Sequence, residues 1–186
     1  MKQKQVLRKK IIDKLNCQTS VERRKNSKLI QKKLFSQKEF SISKCVMLYV
    51  SKGTGEVETG PIIKKALLMG KKVVLPTTVA RERKIRPVYL RDIKQCLKKG
   101  QYGIYEPKAP KTKRPFRVKD IDVVIVPGVA FDRKNNRLGR GQGYYDNFLK
   151  RLPKTTSKIG LGFRFQMLKK IPTTMHDISL TMVITE

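Results

Sequence analysis

The chain has 186 residues, enough for one domain with a sizeable core, and its 44 Lys and Arg against 14 acids give a formal net charge of +30. No run approaches the roughly 18 consecutive apolar residues of a membrane helix, and the Lys- and Gln-rich N-terminus lacks the apolar core expected of a secretory signal. Cys17, Cys45 and Cys96 are odd in number, widely spaced and accompanied by a single histidine, which argues against a structural zinc or a disulfide framework and for reduced thiols in a cytoplasm.

The apolar residues Val6, Leu7, Ile11, Ile12 and Leu15, then Leu29, Ile30 and Leu34, keep helical spacing. They predict two helices broken near Asn16 to Ser20, with Thr19 or Ser20 as the cap of the second beneath Glu22 or Arg23. Lys4 and Arg8, four apart, share one face of the first helix. Cys45 to Ser51 reads as a strand and Ser51 to Gly55 as the loop at its carboxyl end. Thr59-Gly60-Pro61 opens a helix that Gly70 ends, and Val73 to Leu75 make a short strand before Pro76. Strand, helix and strand form a βαβ unit, whose ligands gather beyond the strands' carboxyl ends, so Glu56 belongs on that rim. Further on, Val88 to Leu90 reads as a strand, Ile93 to Lys99 as a helical turn closed by Gly100, Gly103 to Pro107 as a loop edge, and Pro107 to Pro115 as an exposed connection.

The central stretch runs Pro127 to Leu152. Val123 to Val126 before it is the pattern of a strand buried on both faces. After it, Tyr144, Tyr145, Phe148, Leu149 and Leu152 predict an amphipathic helix stopped by Pro153. Between them Gly139, Gly141 and Gly143 alternate with Arg140 and Gln142. Glycines let backbone amides approach an anion, a helix start adds unpaired N–H groups, and Arg137 and Arg140 supply charge, so the turn suits a phosphate. Asp132 and Asp146 bracket it, and carboxylates beside a phosphate site are the usual holders of magnesium. No Lys-Ser or Lys-Thr follows the last glycine, and tyrosines follow Gly143 directly, so it is neither a Walker loop nor a dinucleotide fingerprint. The competing reading is a tight turn with its arginines in solvent. Beyond it, Ile159 to Phe163 reads as a core strand whose glycines allow close approach, and Phe165, Met167 and Leu168 as a packing turn. His176 is either a general base or a loop histidine that positions Asp177.

These residues carry a family likeness. PGVAFD at Pro127–Asp132 and RLGRGQGYYDNFL at Arg137–Leu149 resemble the signature of the 5-formyltetrahydrofolate cyclo-ligase family. Lys4 with Arg8, Tyr49-Val50-Ser51 with Glu56 to Thr59, Gly103 to Pro107, and His176-Asp177 with Ile184 to Glu186 extend the resemblance over nearly the whole chain. Asn135-Asn136, Gln142 and Thr181 depart from its common pattern. The resemblance implies an ATP- and Mg²⁺-dependent cytoplasmic enzyme, one domain over residues 1–186, closing 5-formyltetrahydrofolate to 5,10-methenyltetrahydrofolate with release of ADP and phosphate. It implies that Lys4, Arg8, Arg137, Leu138, Arg140, Gln142, Tyr144, Tyr145 and the amides from Gly139 to Gly143 bind ATP. Arg140, Lys4 and Tyr145 are the expected catalytic groups; Val50, Glu56, Arg140, Tyr144 and Tyr145 the expected folate contacts; and Asp146 and Asp177, helped by Asp132, the expected metal ligands. Glu56 is expected away from the phosphates, at the pterin end.

Pattern and resemblance both imply a three-layer α/β/α sandwich on a mostly parallel open sheet, expected as a monomer. The basic residues are spread along the chain, with twelve in residues 1–33, and no aromatic-rich RNA-binding strand accompanies them. Nucleic acid is therefore expected only as a non-specific partner of the surface charge. The alternative is a basic RNA- or ribosome-associated module on the same scaffold.

Overall fold

The computed structural model describes residues 2–51, 53, 55–79, 82, 84–90, 97–99, 105–107 and 116–186. Helices α1 (Lys2–Cys17) and α2 (Ser20–Phe35) break where the sequence predicts. Thr19 is the cap: its Oγ1 accepts from the Glu22 amide at 3.2 Å, and Glu22 Oε2 accepts from the Thr19 amide at 3.0 Å. Ile11, Leu15, Ile30 and Leu34 are the buried stripe of this pair, and Phe40 anchors the short α3 (Lys38–Ile42) in the same core.

Among the described residues the main sheet has six strands, β1 (Cys45–Met47), β2 (Lys72–Val79), β3 (Lys84–Leu90), β6 (Val123–Val126), β9 (Ser157–Leu161) and β11 (Met182–Ile184). Their order is β11-β9-β6-β1-β2-β3, parallel throughout except for the antiparallel edge strand β3. Helix α4 (Gly60–Leu68) crosses from β1 to β2, which pair with Val46 beside Val73. Helix α5 (Tyr144–Leu149) lies between β6 and β9 in the chain, and those strands pair with Val126 beside Gly160.

Alternation along the strands builds the layers. Val46, Leu48, Val123 and Ile125 face the core that α1, α2 and α4 cover, while Met47, Val124 and Val126 face the core shared with Phe148 and Leu149 of α5. The fold is α/β with helices on both faces, and among the described residues the second face is covered more thinly. Phe131 fills much of it. Its ring lies where a Cβ at Gly160 or Gly162 would stand, within 2.7 and 2.8 Å of one, so only glycine admits it.

Several elements differ from expectation. β2 does not stop before Pro76 but runs on to Val79, because Pro76 lies past the end of β1 and pairs with Pro87 of β3. Two facing prolines fit an antiparallel position that needs no N–H. Residues 97–99, predicted as helical, form strand β4 (Leu97–Lys99), which pairs with β5 (Tyr105–Pro107), predicted as a loop. The remainder of the expected turn at 93–96, and the expected connection over 108–115, lie outside the described residues. Helix α5 ends at Leu149, short of Pro153, and Leu152 is buried from a following turn. Small strands β7 (Ala130–Asp132), β8 (Arg137–Leu138) and β10 (Met167–Leu168) form a second sheet in the order β10-β7-β8, where only a turn was expected for Met167 and Leu168.

Candidate active site

The carboxyl ends of β1, β2 and β6 open into a cavity of about 650 Å³. Each wall is held by a local device. After β1, Thr59 is fully buried and its Oγ1 donates to Tyr49 O at 2.6 Å while accepting from the Ser51 amide at 2.9 Å. The Thr59 amide donates in turn to Ser51 Oγ at 3.1 Å, so the segment bearing Glu56 is tied back to the strand end beside Val50. From the opposite side α1 brings Lys4 and Arg8 to the rim, and Arg8 Nε donates to Gly139 O at 2.8 Å.

The glycine turn follows the β7–β8 hairpin. Gly141 and Gly143 have φ of +100° and +74°, a region closed to most side chains, so the turn needs glycine at both. Arg140, Gln142, Tyr144 and Tyr145 line the cavity with them, and Leu138 supports the turn from below, 1 % exposed. Helix α5 is only six residues long, so the backbone turn and the arginines contribute more to the local field than its dipole does.

Arg137 lies beneath the turn, its side chain 4 % exposed. Its Nη2 donates to Asp146 Oδ1 at 2.8 Å and its Nη1 to Pro127 O at 3.3 Å, and it stacks 5.8 Å from the Tyr145 ring. The arginine expected to face phosphate thus orients a carboxylate. Its Nε and the Tyr145 hydroxyl are buried with no partner among the described residues. Burial pushes the Tyr145 hydroxyl well above its ordinary value despite the Arg137 charge. Burial, with Glu56 and Tyr145 nearby, raises Tyr49 likewise. Both phenols therefore stay protonated at neutral pH.

The third wall is the loop before β11. Asp177 Oδ2 accepts from Lys4 Nζ at 2.6 Å and from the Thr174 amide at 2.6 Å. Burial pushes its carboxyl up, but these bonds prevail and hold it below the usual range. Lys4 and Thr174 therefore position Asp177, the role expected of His176, which stands exposed at the rim. No donor to Asp146 Oδ2 or Asp177 Oδ1 occurs among the described residues. Nor do three or more His, Cys, Asp or Glu among them converge as a metal cage. The donor set suits a magnesium ion held by one or two carboxylates together with phosphate oxygens and water.

Among the expected metal ligands, one is corrected. Asp132 is 1 % exposed and is not among the residues that line the cavity. Its carboxylate accepts from the Lys134 and Asn136 amides at 2.9 and 3.0 Å, from Asn136 Nδ2 at 3.0 Å and from the Ile171 amide at 2.9 Å, tying the hairpin to the chain after β10. Glu56 stands on the rim with the glycine turn, as its place after β1 implies, and its Oε1 lies 3.4 Å from Arg140 Nη2. Sequence reasoning gave no role to several cavity residues, among them Thr78, Asn147 and Lys150. Gly143, Asn147 and Lys150, at i, i+4 and i+7, share one helix face, a spacing that could have pointed to the last two.

The fold and cavity define an α/β protein with a cation-rich cleft at its strand ends. The model of the 5-formyltetrahydrofolate cyclo-ligase family matches residues 1–186, and the chain belongs to that family of enzymes. It is 29% identical over 190 residues to the mouse 5-formyltetrahydrofolate cyclo-ligase, covering 98% of this chain and 93% of that one. It is 34% identical over 174 residues to a probable 5-formyltetrahydrofolate cyclo-ligase of Caenorhabditis elegans, covering 89% and 84%. The structure resembles that of Aquifex aeolicus 5,10-methenyltetrahydrofolate synthetase with a TM-score of 0.83 at 34% identity, covering 97% of this chain and 88% of the other. No helix among the described residues is long and apolar enough to cross a membrane.

Proposed function

We propose that the cavity activates the formyl oxygen of 5-formyltetrahydrofolate with the γ-phosphoryl group of ATP and closes the ring to 5,10-methenyltetrahydrofolate. The formamide oxygen is a very poor leaving group. Phosphoryl transfer onto it releases ADP and gives an imino-phosphate; N10 then attacks the same carbon and loses its proton, and inorganic phosphate departs with the oxygen. Such transfers need positioning and charge neutralisation more than covalent help. The single observation that carries the reading is the Arg140–Glu56 contact of 3.4 Å. A carboxylate suited to the pterin's N–H edge stands beside a cation suited to a phosphate, and the reaction joins a phosphate to an oxygen next to that ring.

In this reading Lys4, Arg8 and the amides of the glycine turn hold the phosphates, and Arg140 neutralises charge on the group in flight. Val50, Glu56 and Tyr144 hold the pterin, and the unpartnered Tyr145 hydroxyl donates to substrate. Asp146 and Asp177 would hold Mg²⁺, which supplies charge neutralisation to the phosphates when bound. Lys4 then exchanges Asp177 for phosphate. Cytoplasmic residence is part of the proposal, in keeping with free thiols at Cys17 and Cys45. The test mixes protein, ATP, Mg²⁺ and 5-formyltetrahydrofolate and follows the near-ultraviolet absorbance of the methenyl product. Turnover should require nucleotide and metal together; equal product without ATP, or in excess chelator, overturns it.

A further inference from the structure

Away from the cleft, the outer face of α2 carries a second concavity, an open groove of about 610 Å³ between the helix and the segment bearing Glu58. The two walls are tied together. The Glu58 amide donates to Ser27 Oγ at 3.0 Å, and Gln31 Nε2 donates to Glu58 O at 3.1 Å. Arg23 Nε stands 3.9 Å from Glu58 Oε1, so the one acid of the groove already has a cation of its own.

Two ridges of side chains run along this face of α2. Arg24, Lys28 and Lys32 stand at i, i+4 and i+8, about 6 Å apart along the axis. Val21, Lys25 and Leu29 make the neighbouring ridge, and its two apolar members are 76% and 45% exposed. Among the described residues, Arg24, Lys25, Lys28 and Lys32 enter no ion pair. Glu22, the only acid of the helix, is committed to the Thr19 cap. Like charges four residues apart weaken a helix, so a row of three cations gains from an acid brought from outside.

We propose that this face docks an acidic amphipathic helix of a partner protein. Its apolar residues would seat on Val21 and Leu29, and its carboxylates, also four residues apart, would run along Arg24, Lys28 and Lys32. The groove disfavours other occupants. It holds no aromatic side chain for bases to stack on, and Glu58 repels phosphate, so a nucleic acid would find charge but no seat. A second copy of this chain would bring its own net charge of +30. The groove shares no lining residue with the catalytic cleft, and the inference does not depend on the folate reading.

The probe is a fluorescent helical peptide with Glu at i, i+4 and i+8 beside a row of Leu. A scrambled peptide of the same composition and a fluorescent oligouridylate serve as comparisons. Binding is followed by anisotropy at physiological salt. One variant carries Arg24→Gln, Lys28→Gln and Lys32→Gln; a control loses the same charge from exposed positions of α1 through Lys9→Gln, Lys10→Gln and Lys14→Gln. Wild type should hold the patterned peptide more tightly than the scrambled one. The α2 variant should weaken it about tenfold, the scale of three exposed ion pairs together, and the α1 control less than about twofold. Val21→Ser with Leu29→Ser should remove the preference for the patterned peptide. All these positions are exposed, so melting temperatures should stay with wild type. No binding, equal binding of the two peptides, or equal weakening by the α1 and α2 variants overturns the proposal. Tighter binding of the oligouridylate, lost in the α2 variant, overturns it in favour of a nucleic-acid surface.

Discussion

Asp132 offers the sharpest test of the corrected assignment, because its structural and metal roles predict opposite results for Asp132→Asn. The carboxylate accepts four N–H groups, two on each oxygen. Asparagine keeps the volume but replaces one oxygen with an NH₂ group, so two of the four contacts become donor against donor. Turning over the Asn136 amide would relieve one of them, yet Asn136 Oδ1 already accepts from Ser179 Oγ at 3.0 Å. Each buried donor left without an acceptor costs about 1–3 kcal/mol, so the substitution should cost roughly 2–5 kcal/mol. That is a large share of the 5–15 kcal/mol typical of a folded domain. At about 2–4 °C per kcal/mol for a chain of this size, the melting temperature should fall by roughly 5–20 °C. Thermal unfolding followed by circular dichroism, without nucleotide or folate, gives the number, and the loss should be the same with and without Mg²⁺. A variant melting within about 2 °C of wild type, but needing more Mg²⁺ for activity, would refute the structural role and return Asp132 to the metal.

Three further outcomes are expected. Arg140 is half exposed, its side chain at 51%, so Arg140→Ala should leave unfolding nearly unchanged while cutting turnover roughly ten- to a thousandfold. For the same reason a double-mutant cycle with Glu56→Gln in ligand-free protein should show less than about 1 kcal/mol of coupling, measured from urea midpoints. Stability should also fall in acid through Asp132 and Asp177. Burial pushes both carboxyls up, but the bonds from Asn136, Ile171 and Lys134 to the first, and from Lys4 and Thr174 to the second, hold both below their ordinary 3.8. With folded values below unfolded ones, the contribution is complete above the ordinary carboxylate range and disappears as pH falls through the lowered values. Urea midpoints against pH should therefore drop less steeply below about pH 4 for Asp132→Asn than for wild type.

The sequence made some of this legible and hid the rest for physical reasons. Val123–Val126 read as a doubly buried strand because a central parallel strand is apolar at every position, and the cap of α2 read as Thr19 or Ser20, of which the structure uses Thr19 with Glu22 three residues on. Prolines misled at Pro76: the rule that they end strands holds only where the ladder demands an N–H, and that depends on which neighbour lies alongside. The glycine turn was legible as a turn, but the direction of each charged side chain was not. Arg137 and Arg140 are three positions apart, yet the first is buried on Asp146 and the second meets Glu56 at the cavity. The same holds for carboxylates. Asp132 and Asp146 look alike in the motif, and only the hairpin between them decides which one is used up by backbone amides.

The Lys4–Asp177 pair has a consequence in time. Its partners are 173 positions apart, so a growing chain exposes the lysine long before the aspartate exists. At about 5–20 residues per second the interval is on the order of ten to thirty seconds. The sheet can assemble outward from β1 and β6 in that window, but α1 has neither its aspartate nor its glycine carbonyl to dock on until late. The apolar stripe of this strongly cationic helix can pack early, but its rim contacts wait through most of synthesis, and the cleft closes as one of the last events of birth. Any ribosome that stalls short of Asp177 would release a core without its working rim.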